Sequence, residues 1–304
     1  MVDRLADLFP GFASHWVDIL AGRIFARSAG AGRALVLLHG FSQTHACWHR
    51  IAPHLAQTFT VVAMDLRGYG RSSAPSGDNG THVYTKRAMG RDGVTVMQAL
   101  GHSNFALIGH DRGARVGYRL ALDESRRLTQ LVLLDIGPTF RVWDEIRASP
   151  SIFPHWRFLA GSQGKPEAEI ERDPDGYFEG LLAKWSKSGD LSGFDPQALA
   201  HYRASWGEQA RIHAFCEDYR AGATTDVTRD QSDMEARQRI RCPVLLVCGK
   251  HYLTGALERS LKVWRDTFAP TVLGAEVDAA HFVAEEAPEE TLEAIVRFLQ
   301  ARHD

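Results

Sequence analysis

The chemistry of this chain is concentrated in Gly109-His110-Asp111-Arg112-Gly113. An apolar run, Phe105-Ala106-Leu107-Ile108, leads into this stretch, and Ala114 to Leu120 continues it as a helix. A strand that turns on small residues into a helix, with a reactive side chain at the corner, is a nucleophile elbow. Here the reactive group is a carboxylate. Attack by Asp111 on a carbonyl would give only a labile anhydride, whereas attack on a saturated carbon bearing a leaving group gives an ester that water can cleave. Asp135 follows the apolar run Leu131–Leu134, and His281 follows the apolar segment Val272–Val277. Nucleophile, acid and base thus occur in the chain order of a hydrolytic triad: Asp111, Asp135, His281. His39-Gly40-Phe41-Ser42 ends another apolar run and offers the backbone N–H of Phe41 as an oxyanion donor, with the N–H of Arg112 as the second. Arg112 and Arg115 stand three apart on the elbow helix and therefore share a face. Two guanidinium groups there would hold an anionic substrate carboxylate and keep Asp111 ionised.

Short apolar strands supply the positions. Trp16–Ile19 and Arg23–Ala26 read as an opening hairpin. Leu35–Leu38, Phe59–Met64, Phe105–Ile108, Leu131–Leu134, Val244–Val247 and Val272–Val277 read as further strands. Helices are expected around Trp48, Ile51 and Leu55, over Met89–Leu100, after the elbow, and over Ala287–Arg302. Strands alternating with helices imply a mostly parallel sheet flanked by helices, whose carboxyl ends converge on one crevice. The alternation stops between about Gly137 and Arg241, where aromatic residues and helical pieces replace strand signal. The predicted architecture is the α/β-hydrolase fold, with residues 1–137 and 241–304 as core and 138–240 as an inserted helical cap.

Composition narrows the class. The 304 residues are 44% hydrophobic and carry a net charge of -2, which gives no basis for nucleic-acid binding or for attachment to an anionic membrane. No apolar run approaches the length of a spanning helix, and Met1–Phe12 lacks the apolar centre of a secretion signal. Cys47, Cys216, Cys242 and Cys248 have no metal-like spacing and read as free thiols. A soluble cytoplasmic protein is expected. His45 and His49 lie four apart without an intervening H-E-x-x-H glutamate, so they read as part of a surface helix, and neither a metal nor an organic cofactor is expected.

The chain resembles the fluoroacetate dehalogenases. The resemblance is carried by His39-Gly40-Phe41 with Gln43, Asp65-Leu66-Arg67-Gly68-Tyr69-Gly70, Tyr84 with Arg87-Ala88-Met89, Gly109–Arg115, Leu134-Asp135-Ile136 with Pro138-Thr139, His155-Trp156, Asp218–Gly222 and His281-Phe282. It implies that Asp111 displaces halide from the α-carbon of a haloacetate while Arg112 and Arg115 hold its carboxylate. His155, Trp156 and Tyr219 would donate hydrogen bonds to the leaving halide, and His281, oriented by Asp135, would activate the water that cleaves the ester. The substrates are then a small haloacid and water, and the family further implies a homodimer. Ser42 replaces a proline usual in that family, and Gly137 replaces a bulky aliphatic residue. Two other readings stand beside this one. An epoxide hydrolase would use the same aspartate with tyrosines such as Tyr177, Tyr202 and Tyr219, although it has no use for a carboxylate clamp. A non-catalytic ligand-binding protein of the same fold would need no intact triad.

Overall fold

The computed structural model describes residues 5–77, 81–252 and 257–301; Met1–Arg4 and Arg302, which the sequence reading touched, lie outside them. Eight strands form one sheet: β1 (Ala13–Ile19), β2 (Gly22–Ala29), β3 (Arg33–Leu38), β4 (Phe59–Met64), β5 (Phe105–His110), β6 (Leu128–Leu134), β7 (Val244–Gly249) and β8 (Leu273–Val277). Their order is β1-β2-β4-β3-β5-β6-β7-β8. The β1–β2 and β2–β4 pairs are antiparallel, and every pair from β4–β3 to β7–β8 is parallel. All six residues of β5 and all six of β7 are buried, as a strand covered on both faces requires. The fold is that of an α/β hydrolase.

Thirteen α-helices occur among the described residues. On the core side lie α1 (Ala52–Leu55), α2 (Lys86–Ala99) and α3 (Arg112–Asp123). Between β6 and β7 the regular structure is wholly helical: α4 (Thr139–Ala148), α5 (Pro154–Leu159), α6 (Lys165–Ile170), α7 (Pro174–Trp185), α8 (Pro196–Trp206), α9 (Gln209–Ala221) and α10 (Val227–Glu235). The chain returns through α11 (Leu257–Asp266), α12 (Val283–Glu286) and α13 (Pro288–Gln300). In α2 the Thr85 side chain accepts from the Ala88 N–H at 3.2 Å, which starts that helix three residues before the predicted Met89.

The helix predicted around Trp48–Leu55 is not continuous. A 3-10 turn covers His45–Trp48, and α1 begins separately with Pro53 in its first turn. Proline lacks an N–H to continue the ladder, and apolar spacing alone does not register this. His45 is also not on the surface. It is buried, with its backbone N–H and Nδ1 at 2.7 and 2.9 Å from Asp65 Oδ1.

Candidate active site

The corner between β5 and α3 has little room. A Cβ at Gly109 would sit 2.5 Å from Ala114 Cα, and one at Gly113 would sit 2.2 Å from the Leu38 carbonyl oxygen. Without those side chains, α3 packs directly against the ends of β5 and β3. Asp111, at the turn, has φ of 43°, a backbone conformation uncommon for a residue with a Cβ. Such conformations persist where the surroundings over-determine them, often at reactive positions. The backbone of Asp135 at the end of β6 is also left-handed, with φ of 53°.

The three predicted triad residues come together. His281 Nδ1 lies 2.7 Å from Asp135 Oδ2, while Asp135 Oδ1 accepts from the Gly249 N–H at 3.3 Å. Asp111, Asp135 and His281 all line one cavity of about 20 Å³, measured as room for the centre of a water molecule. A single water needs roughly 10–15 Å³ on this measure, so the space suits a very small molecule. The Phe41 N–H donates to Asp111 Oδ1 at 3.0 Å. That turn is fixed by His39, whose Nδ1 contacts the Gly40 carbonyl at 2.8 Å and whose Nε2 accepts from the Leu66 N–H at 3.0 Å. The Phe41–Ser42 peptide is cis.

Burial pushes the Asp111 carboxyl toward a higher pKa, but the nearby His281 ring in its protonated form, then Arg112 and Arg115, outweigh it and hold the group below the usual carboxylate range. An ionised nucleophile is the result. Asp135 moves the other way: burial raises it, against the lowering pull of its hydrogen bond with His281.

The two arginines separate. Arg115 lines the cavity; its Nη1 donates to the Gly137 carbonyl and Thr139 Oγ1, both at 3.1 Å, and its Nε has no partner. Arg112 is fully buried and held by Asp218: Nε donates to Oδ2 at 3.0 Å, and Nη2 donates to Oδ1 at 2.6 Å and to the Asp218 carbonyl at 2.8 Å. Asp218 also binds Lys86 Nζ and accepts from the Tyr69 hydroxyl at 2.8 Å. Only Arg112 Nη1 is left without a partner, and Arg112 is not among the residues lining the cavity. The two guanidiniums expected to form a carboxylate clamp thus stand in different settings. One guanidinium borders the cavity, and the other is mostly spent on a buried acid from α9.

His155, Trp156 and Tyr219 line the cavity opposite the elbow. Their ring centroids lie 6.5 Å (His155–Trp156), 6.0 Å (His155–Tyr219) and 5.7 Å (Trp156–Tyr219) apart. Burial lowers the His155 pKa to about 3, so the ring is neutral at pH 7 and keeps one N–H. Of the tyrosines considered for an epoxide reading, Tyr202 donates to Glu285 Oε1 at 2.9 Å and Tyr177 stays outside the cavity. Tyr252, Trp185, Phe153 and Val142 complete the lining and were not singled out from the sequence. They come from separated segments, and no local motif marks them. The Tyr252 ring lies 4.5 Å from the His281 ring.

Similarity to known proteins agrees with this geometry. The family model of the alpha/beta hydrolase fold matches residues 33–288. A fluoroacetate dehalogenase from Burkholderia sp is 40% identical over 293 residues, which cover 96% of this chain and 95% of that protein. A soluble epoxide hydrolase from Corynebacterium sp. is 29% identical, with 93% of this chain and 96% of that protein aligned. A solved alpha/beta hydrolase structure from Nostoc sp PCC 7120 superposes with a TM-score of 0.90 at 45% identity, covering 97% of this chain and 100% of that one. The strand-to-helix elbow, the Asp135–His281 pair held across the ends of β6 and β8, and matches over nearly the whole length lead to one conclusion: the chain is a hydrolase of the alpha/beta hydrolase family.

Proposed function

We propose that the protein hydrolyses haloacetates, fluoroacetate among them, through a covalent ester on Asp111. One observation carries the reading: an ionised carboxylate nucleophile, a guanidinium and a His–Asp pair face the same small cavity. Arg115 fits the carboxylate of a two-carbon acid, and Arg112 Nη1 is the one atom of its neighbour left to assist. In the first step an Asp111 oxygen attacks the α-carbon, the carbon–halogen bond breaks, and halide leaves with the electron pair. Fluoride is strongly hydrated and leaves poorly. The N–H groups of His155 and Trp156 and the hydroxyl of Tyr219 would replace its water shell.

In the second step His281 takes a proton from water, and the hydroxide attacks the Asp111 ester carbonyl. The charge then develops on an oxygen already facing the Phe41 N–H. Collapse releases glycolate, with the proton returned from His281 to its alkoxide oxygen, and leaves Asp111 as the acid, whose proton passes to solvent to regenerate the carboxylate. Asp135 holds the imidazole during both proton transfers. The helical insertion acts as the cap that keeps bulk water from the leaving group.

Ion chromatography of fluoride and chloride released from fluoroacetate and chloroacetate tests the reading. Release by the native chain and none by Asp111→Asn supports it. Turnover of styrene oxide without halide release replaces it with the epoxide reading, and inertness toward both overturns catalysis at this site.

A further inference from the structure

A hydrogen-bond chain runs behind the catalytic pair. Tyr202 donates to Glu285 Oε1, Glu285 Oε2 meets Gln43 Nε2, Gln43 Oε1 lies 3.1 Å from His110 Nδ1, and His110 Nε2 lies 2.8 Å from the carbonyl oxygen of His281. All four side chains are buried. With the Gln43 amide in that orientation, both ring nitrogens of His110 face acceptors. Each must then carry a proton, which makes His110 an imidazolium and Glu285 a carboxylate. Reversing the amide gives up the long contact of Gln43 Nε2 with the Tyr202 hydroxyl, at 3.4 Å, and pairs the rest of the chain without charge. Glu285 as a carboxylic acid donates to Gln43 Oε1, Gln43 Nε2 donates to bare His110 Nδ1, and His110 Nε2–H donates to the His281 carbonyl.

We propose that Glu285 is a positioning residue for His281, held as a neutral acid that fixes the Gln43 amide and the His110 tautomer and through them the main chain of the base. The two forms have the same net charge, so the cost of burying separated ions decides between them. Burial moves both groups toward the neutral form. It raises Glu285 to about 8, with Tyr202 and Arg50 opposing and Glu286 adding, and it lowers His110 to about 3, with Asp111 opposing and His281 and His39 adding. Arg50 touches Glu285 only at its backbone carbonyl, at 2.7 Å, and the buried Cys47 thiol is the other titratable group nearby.

His281 is thereby anchored three ways. Its ring is held by Asp135, its N–H donates to the Trp185 carbonyl at 3.1 Å, and its own carbonyl accepts from His110. His110 also precedes the nucleophile, so one ring couples the base to the elbow. Loss of the Glu285 proton would leave Gln43 Oε1 facing a bare Nδ1, or force the His110 proton across the ring and free the His281 carbonyl.

The inference rests on His281 being the base, but its first two tests need no substrate and so stand apart from the haloacetate reading. In the full chain at pH 7, ¹⁵N-histidine NMR should show His110 as the neutral Nε2–H tautomer; an imidazolium or an Nδ1–H tautomer overturns the proposal. Infrared difference spectra should show a buried carboxylic-acid carbonyl band that disappears as pH rises through about 8 and is missing in Glu285→Gln. Absence of the band from the native chain overturns it. In turnover, Glu285→Leu should lower kcat about 10- to 100-fold with KM unchanged. Glu285→Gln, whose amide can donate to Gln43, should restore most of that loss and show no alkaline limb near pH 8. A Gln variant as impaired as the Leu variant overturns the protonated form.

Discussion

Replacing Arg112 or Arg115 of the elbow helix by leucine should damage two different properties. In Arg112→Leu the Asp218 carboxylate loses two hydrogen bonds from a fully buried guanidinium, and the Asp218 main-chain carbonyl loses a third. Removing one partner of a buried ion pair costs about 3–5 kcal/mol because the other charge stays buried. Asp218 still has Lys86 and Tyr69, so the lower end of that range, about 3 kcal/mol, is expected. Arg115→Leu removes two hydrogen bonds from the guanidinium to uncharged acceptors, the Gly137 carbonyl and Thr139 Oγ1, and so breaks no buried ion pair. It also removes the cation proposed to meet the substrate carboxylate, and a charge-assisted bond of about 1.5–3 kcal/mol corresponds to a KM raised about 10- to 150-fold. Urea unfolding followed by circular dichroism and haloacetate kinetics measure the two quantities separately. If Arg112→Leu unfolded at the native urea midpoint while raising KM as much as Arg115→Leu, the assignment of Arg112 to Asp218 would be refuted.

Three other outcomes follow from the geometry. His281→Asn should release one equivalent of halide and stop, with mass spectrometry finding one added carboxymethyl group on Asp111; multiple turnovers without an adduct count against the two-step route. Gly40→Ala should lower kcat about 100-fold in a folded protein, because its Cβ would lie 2.7 Å from Asp111 Cβ and 3.0 Å from His110 Nδ1; full activity would show that the oxyanion turn can move. Glu285 ionises near 4.5 in an unfolded chain and near 8 in the folded one, so between those values the folded state binds the extra proton and stability falls as pH rises, levelling above 8. Glu285→Gln should remove that decline of up to about 1.4 kcal/mol per pH unit. Its melting temperature should match the native one below pH 4.5 and exceed it at pH 8, and parallel curves would exclude the raised pKa.

The sheet was legible because its central strands are short apolar runs buried on both faces, with Leu35–Leu38 and Val244–Val247 the plainest cases. Asp111 and Asp135 were legible for a related reason: each ends such a run, and strand ends of a parallel sheet converge. His281 follows the largely exposed edge strand β8 and was legible from its place in the chain order instead. The fate of Arg112 was not. Its spacing from Arg115 places both on one side of α3, but the acid that captures it is 106 residues away in α9, where no local pattern marks Asp218 as a buried partner. Tyr252, Trp185 and Phe153 were missed for the same physical reason, since tertiary packing alone aims them at the cavity. No local pattern singles out Glu285. Only the positions of Gln43, 242 residues earlier, and Tyr202 reveal it as part of an interior chain.

The carbonyl of Trp185, which accepts the His281 N–H, belongs to the last residue of α7, and the Trp185 ring itself walls the cavity. The final residue of α7 therefore serves two structures at once: its carbonyl tethers the main chain of His281, and its ring encloses the space that the imidazole faces. On the proposed mechanism, a substitution that loosens this joint should slow proton transfer while easing exchange with solvent.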